Sequence, residues 1–246
     1  RARAYGLARD IMKAALQFSA DPHSLRKRWT NLEGVEPISG DTLGNDSPEG
    51  VVRQLLYLML SPPVTTKALR QVFSARAFDG ADLGTDLLML TEGLSAVQRR
   101  ATRSEVPLTM VRDNILSRTT YEVSGSPSLG YRVQASMSGG SGPRQNTWFV
   151  VPTKRGHRIR ASGATPAALG EEALHYLHLG NVKAARQWLS WAEALLPDAR
   201  GEEDGLKVAP FTVLRASKAP LTVQGAALAA LGPRAPKFLR HLEGAR

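Results

Sequence analysis

Two helical runs, Pro166 to Leu179 and Val182 to Leu196, stand only Gly180-Asn181 apart, and this spacing constrains the fold more than any other feature of the chain. Thr165-Pro166 supplies a capping hydroxyl and a proline whose missing N–H costs nothing at a first helical position. Gly180-Asn181 breaks the first run, and Pro197 stops the second. Helices of this length joined by so short a turn fold back on each other. Such a hairpin cannot bury its own apolar surface, so it needs a neighbour.

With Pro166 as the first position, Leu169, Ala173 and Tyr176, then Ala185, Leu189 and Ala192, with Pro197 closing, put small residues at the crossing and large ones beside it. In this the segment Pro166 to Ala199 resembles a tetratricopeptide unit. Glu172 departs from the pattern, because the family favours Leu or Ile there, and this implies a first or isolated unit. The resemblance also implies a ligand face on the first helix, made by Ala167, Gly170, Leu174, Leu177 and His178. Leu174, Leu177 and His178 are the candidate partner-binding residues. The Lys and Asn residues that clamp a peptide carboxylate in some members are absent from these positions. The run Gly180 to Ala192, with Ala185-Arg186, Trp188-Leu189 and Trp191-Ala192, is similar to a poorly characterised group of bacterial tetratricopeptide proteins. That likeness implies a bacterial origin and a larger parent protein.

Upstream, Ala4 to Ala20 has the apolar spacing of an amphipathic helix, and a Gly-, Pro- and Asp-rich linker follows to Asn45. Ser47-Pro48-Glu49 opens a helix to Leu60 so dense in apolar residues that it must be largely buried. A second, short helix is expected at Thr66 to Phe73 and a third at Thr85 to Arg103. Beyond Ser117 the period becomes two: Tyr131, Val133, Ala135 and Met137 alternate with polar residues, and Thr147 to Val151 and His157 to Arg160 flank a turn at Lys154-Arg155-Gly156. Three or four strands in an antiparallel meander after helices indicate an α+β domain. The Ser-Pro-Glu helix start and the closing Trp148 to Val151 and His157 to Arg160 hairpin resemble the nuclear transport factor 2-like superfamily over Ser47 to Ala161. That resemblance implies a cone holding either an enzyme pocket or a binding cavity.

Composition excludes some chemistry. Without cysteine there is no disulfide, thiol nucleophile or thiolate metal site, so a bacterial cytoplasm and a periplasm are both permitted. No apolar run reaches the length of a membrane span. The net charge of +10 sets 24 Arg and 8 Lys against 22 Asp and Glu; the Arg-for-Lys bias is expected of GC-rich coding, and the excess is spread along the chain. The densest basic patch is Lys154, Arg155, Arg158 and Arg160 with His157, beside Trp148 and Phe149. It is the candidate anion-binding strip, with a solvated sheet face as the plainer alternative. His175 and His178 are three apart but lack further ligands, so neither metal nor cofactor is expected. Ser24-Leu25-Arg26-Lys27 and the Gly139 to Gly142 run lack the companions their motifs require. Asp79, Asp82 and Asp86 suit a helix start.

The expected architecture is therefore a helix and linker (1–46), an α+β domain (47–162), and a helical hairpin with a short helical, basic tail (163–246). The expected function is non-catalytic: a protein-interaction or scaffold segment of a larger bacterial protein. A hydrolase or isomerase pocket in the middle domain is the alternative, and nucleic-acid binding through the basic strip is the third reading.

Overall fold

The computed structural model describes residues 37–40, 43–61, 64–79, 99, 107–137, 144–163, 166–195 and 211–231. The helix expected at Ala4 to Ala20, Ser24 to Lys27, nearly all of Thr85 to Arg103, Asp82 and Asp86 lie outside them, as do the side chain of Asp79, the Gly139 to Pro143 loop, the acidic loop 198–205 and the tail from Gly232.

Helix α1 (Pro48–Met59) begins as its sequence dictates: the Ser47 Oγ accepts from the Gly50 N–H, Pro48 takes the first turn, and Glu49 sits at the positive end. It buries Val51, Val52, Leu55, Leu56, Tyr57 and Met59. α2 (Thr66–Val72) is capped by Thr65, whose Oγ1 accepts from the Ala68 N–H, and α3 (Ala75–Asp79) follows at once. α4 (Leu108–Arg118) does not stand out in the sequence, because its buried side is half ionic: Arg112 and Asp113 are buried beside Met110 and Leu116.

α4 runs directly into the sheet. Strands β1 (Thr119–Ser126), β2 (Gly130–Met137), β3 (Arg144–Thr153) and β4 (Gly156–Ser162) form an antiparallel meander in the order β1-β2-β3-β4. The fold is thus α+β, with helices around a small antiparallel sheet. Alternation along β3 assigns the two faces. Trp148 and Val150, with Val133, Ala135 and Ile159, pack under α1, α2 and α3. Phe149 and Val151, with Ala161, pack against the C-terminal helices.

Those helices are α5 (Pro166–His178), α6 (Val182–Leu195) and α7 (Leu221–Ala229), with a short helical stretch at 211–216. α5 ends as a left-handed Gly180 (φ +72°) allows: the Gly180 N–H donates to the Leu177 carbonyl and the Asn181 N–H to that of Tyr176. Asn181 then starts α6, its Oδ1 accepting from the Ala184 N–H, while its Nδ2 donates to the Ser128 carbonyl in the β1–β2 turn. The Trp188 indole N–H donates to the Leu129 carbonyl at 2.8 Å. Its ring lies so close to Gly130 that a Cβ there would sit 2.9 Å from it, and φ of +80° also favours glycine. Phe149, Trp188 and Trp191 meet with centroids 5.4–5.9 Å apart, each buried ring contributing about 1.5–3 kcal/mol. The boundary expected between 162 and 163 falls between β4 and α5, yet one core runs across it from β3 to α7.

Candidate functional site

Pairing of β3 with β4 slips by one residue: Phe149 faces Ala161, but Val150 faces Ile159. Arg160 is the extra residue of this bulge, and such an insertion re-aims a side chain. Regular alternation would put Arg158 and Arg160 on one strip; instead Arg160 is drawn inward to 2% exposure. Its Nε donates to Glu172 Oε2 at 3.0 Å, and Nη2 to Glu171 Oε2 at 2.6 Å. Glu172, fully buried on α5, also accepts from Arg76 of α3 through Oε1. Arg76 Nη1 reaches His175 Nε2 at 2.6 Å. The imidazole is held below its ordinary proton affinity, first by burial and then by the Arg76 charge, so it is the neutral acceptor here. Glu172, the residue that departs from the repeat pattern, is thus the ionic link between the hairpin, the sheet edge and α3.

Arg160 therefore leaves the expected anion strip, because its charge is already met by two carboxylates. Lys154, Arg155 and Arg158 remain together, and Arg70 of α2 joins them, which sequence reasoning missed. With Phe73, Ser74, Ala75 and Thr153 they line an open groove of about 370 Å³. Trp148 and Phe149 are buried on opposite faces of the sheet, so they offer no stacking surface to a ligand.

The candidate partner face on α5 is also changed. Gly170 and Gly225 let α5 and α7 approach until a Cβ on Gly170 would lie 2.5 Å from the Ala229 nitrogen. Leu174 packs within van der Waals reach of Gly225, Leu177 is half-buried against the same core, and only His178 is exposed. The chain's own α7 thus covers the face that a partner was expected to take. The reason is chemical: a helix of small residues, Leu221 to Ala229, fits closely where glycine removes the barrier. His175 and His178 do not converge on a common ligand, since His175 is turned to Arg76.

A second depression, of about 590 Å³, lies on the outer side of α6 and is lined by Val182, Lys183, Arg186, Gln187, Ser190 and Arg215. Arg215 is fixed there by donating to Glu193 at 2.9 Å and Gln224 at 3.3 Å. Between α4 and α1, Arg112 donates to Asp113 (2.7 Å) and Ser61 (2.8 Å) and lies 4.3 Å over the Tyr57 ring, while Asp113 accepts from the Ile38 N–H. Burial pushes the Tyr121 phenol up to about 12, against the opposing pull of Arg53. No helix among the described residues is long and apolar enough to cross a membrane. Comparison with protein-family models, with curated proteins and with solved structures finds no match to this chain.

Proposed function

We propose that this segment is a non-catalytic protein-interaction module of a bacterial protein, a tetratricopeptide-like hairpin braced on an α+β body. One observation carries the reading. The two buried carboxylates among the described residues, Asp113 and Glu172, each hold arginines in structural ion pairs, so neither stands ready for acid–base work. Since α7 occupies the inner face of α5, the docking surface is the outer groove of α6. The exposed Val182 gives it an apolar contact, and Lys183, Arg186 and Arg215 give it a positive lining. This complements an acidic peptide segment with an apolar anchor.

The test uses the purified chain beside its Lys183→Glu/Arg186→Glu variant. Both residues are exposed, so the fold is retained. A partner captured from extract is identified, purified and titrated against both proteins. Two reversed lining charges at about 0.5–1 kcal/mol each weaken binding about tenfold. Equal affinity for the two proteins refutes the proposed surface, and turnover lost on Asp113→Asn, with the fold intact, refutes the non-catalytic reading.

A further inference from the structure

Arg70, Lys154, Arg155 and Arg158 converge on one groove, and no carboxylate among the described residues shares its lining. We infer that this groove is a binding site for a compact phosphoryl group, such as a di- or triphosphate moiety. It is separate from the α6 groove and from any peptide bound there.

Two walls make the site. The first is the β3–β4 turn. The Thr153 Oγ1 accepts from the Arg155 N–H and donates to the Gly156 carbonyl, closing the turn on itself. Asn45, from the segment before α1, clamps it from outside: its Nδ2 donates to the Arg155 carbonyl at 2.9 Å, and its carbonyl accepts from the His157 N–H at 2.7 Å. Gly156 at φ +91° lies so close to Asn45 that a Cβ would meet its carbonyl oxygen at 2.6 Å. The second wall is the α2–α3 junction. Phe73 bridges to Ile159, and the Ser74 N–H donates to the Ile159 carbonyl at 2.8 Å, so this wall is attached to the strand that carries Arg158. The cations therefore project from backbone that is already fixed, and ordering them costs a ligand little.

The charges on the β3–β4 side of the groove, those of Lys154, Arg155 and Arg158, meet no carboxylate among the described residues. Among the described residues the side chains of Lys154 and Arg155 contact no acceptor, and that of Arg158 donates only to the neutral His157 carbonyl. Burial, followed by the like charge of Arg155, holds the Arg158 guanidinium below its ordinary proton affinity. A half-buried guanidinium beside a second cation is unfavourable alone and is relieved by an anion. The chemistry is that of phosphate rather than of bases. The one aromatic in the lining, Phe73, is 2% exposed and cannot stack, whereas sequence-tolerant single-strand binding relies on stacking platforms. At about 370 Å³ the groove suits a short phosphate chain.

Inorganic tripolyphosphate is the probe, titrated calorimetrically at low and at physiological salt. The wild-type chain is expected to bind with an affinity that falls as salt rises. Arg155→Ala on the exposed turn, with an unchanged thermal midpoint, and Arg70→Gln on the opposite wall are each expected to weaken it about tenfold. Lys183→Gln/Arg186→Gln on the other groove should leave it unaltered. No binding, equal binding by all variants, or an equal loss from the α6 variant overturns the site. So does an outcome in which single-stranded oligothymidylate binds, is weakened by the same two substitutions, and is not displaced by tripolyphosphate; the surface would then be a nucleic-acid track.

Discussion

Replacing Glu172 with glutamine should unfold the chain far more easily than the loss of one surface charge would. Glu172 and Arg160 have side chains 0% and 2% exposed, so neutralising the carboxylate leaves a buried guanidinium with only Glu171, which is 47% exposed, as counter-charge. Removing one partner of a buried pair costs about 3–5 kcal/mol. The Arg76 contribution is smaller, because its side chain is 41% exposed and water screens it to about 0.2–1 kcal/mol. The Arg160–Glu172 pair therefore dominates, and Glu172→Gln should lose about 3–5 kcal/mol. In urea, with a slope of about 2–3 kcal/mol/M, the midpoint falls by about 1–2 M, read from the fluorescence of Trp148, Trp188 and Trp191 in the two cores. The double replacement Arg160→Leu/Glu172→Leu removes both charges together and should return to within about 1 kcal/mol of wild type, since apolar pairs often match buried ionic ones. The coupling between the two sites is then at least about 2 kcal/mol. If Glu172→Gln stays within about 1 kcal/mol of wild type, or the double variant costs the sum of the single ones, the ion pair does not join the hairpin to the sheet as argued.

Gly170→Ala places a methyl group 2.5 Å from the Ala229 nitrogen and 2.8 Å from the Gly225 carbonyl oxygen, so α7 must move off α5. A loss of about 1–3 kcal/mol is expected, with faster amide exchange across 221–229, and unchanged exchange there would refute the close approach. Acid should also loosen the α3–α5 contact. Burial and Arg76 depress the His175 proton affinity, with His178 and Arg160 acting the same way and Glu172 opposing, so the unfolded chain takes up the proton first and stability falls as pH drops below about 6.5. The thermal midpoint of wild type should therefore fall more between pH 7 and pH 5 than that of His175→Gln; parallel curves would exclude the histidine.

Elements whose signal is local were readable in the sequence. Ser47-Pro48-Glu49 starts α1, Pro166 opens α5 and Gly180 ends it, because caps, first-turn prolines and left-handed glycines act within one turn. The meander was readable on β2, where Val133 and Ala135 alternate with more exposed residues, but not on β1, which is exposed along most of its length and so has no apolar period. α4 was missed because Arg112 and Asp113 occupy its buried side. The basic site was half legible. Lys154, Arg155 and Arg158 are near one another in sequence, whereas Arg70 arrives through a contact between α2–α3 and β4 that no local rule contains.

Arg160 shows what such rules leave out. Period-two counting sends it to the same exposed strip as Arg158, and a single inserted residue in β4 turns it instead toward Glu172. Nothing in His157 to Arg160 signals a bulge, since bulges depend on which strand is paired and how. The one sequence clue was negative: an acid at a position where the repeat resembled here carries Leu or Ile. A charge at a core position is costly without a partner of opposite sign, and Arg160, buried beside it, is the partner that meets Glu172. The bulge brings it there, and the misplaced acid and the displaced arginine are therefore two halves of one structural fact.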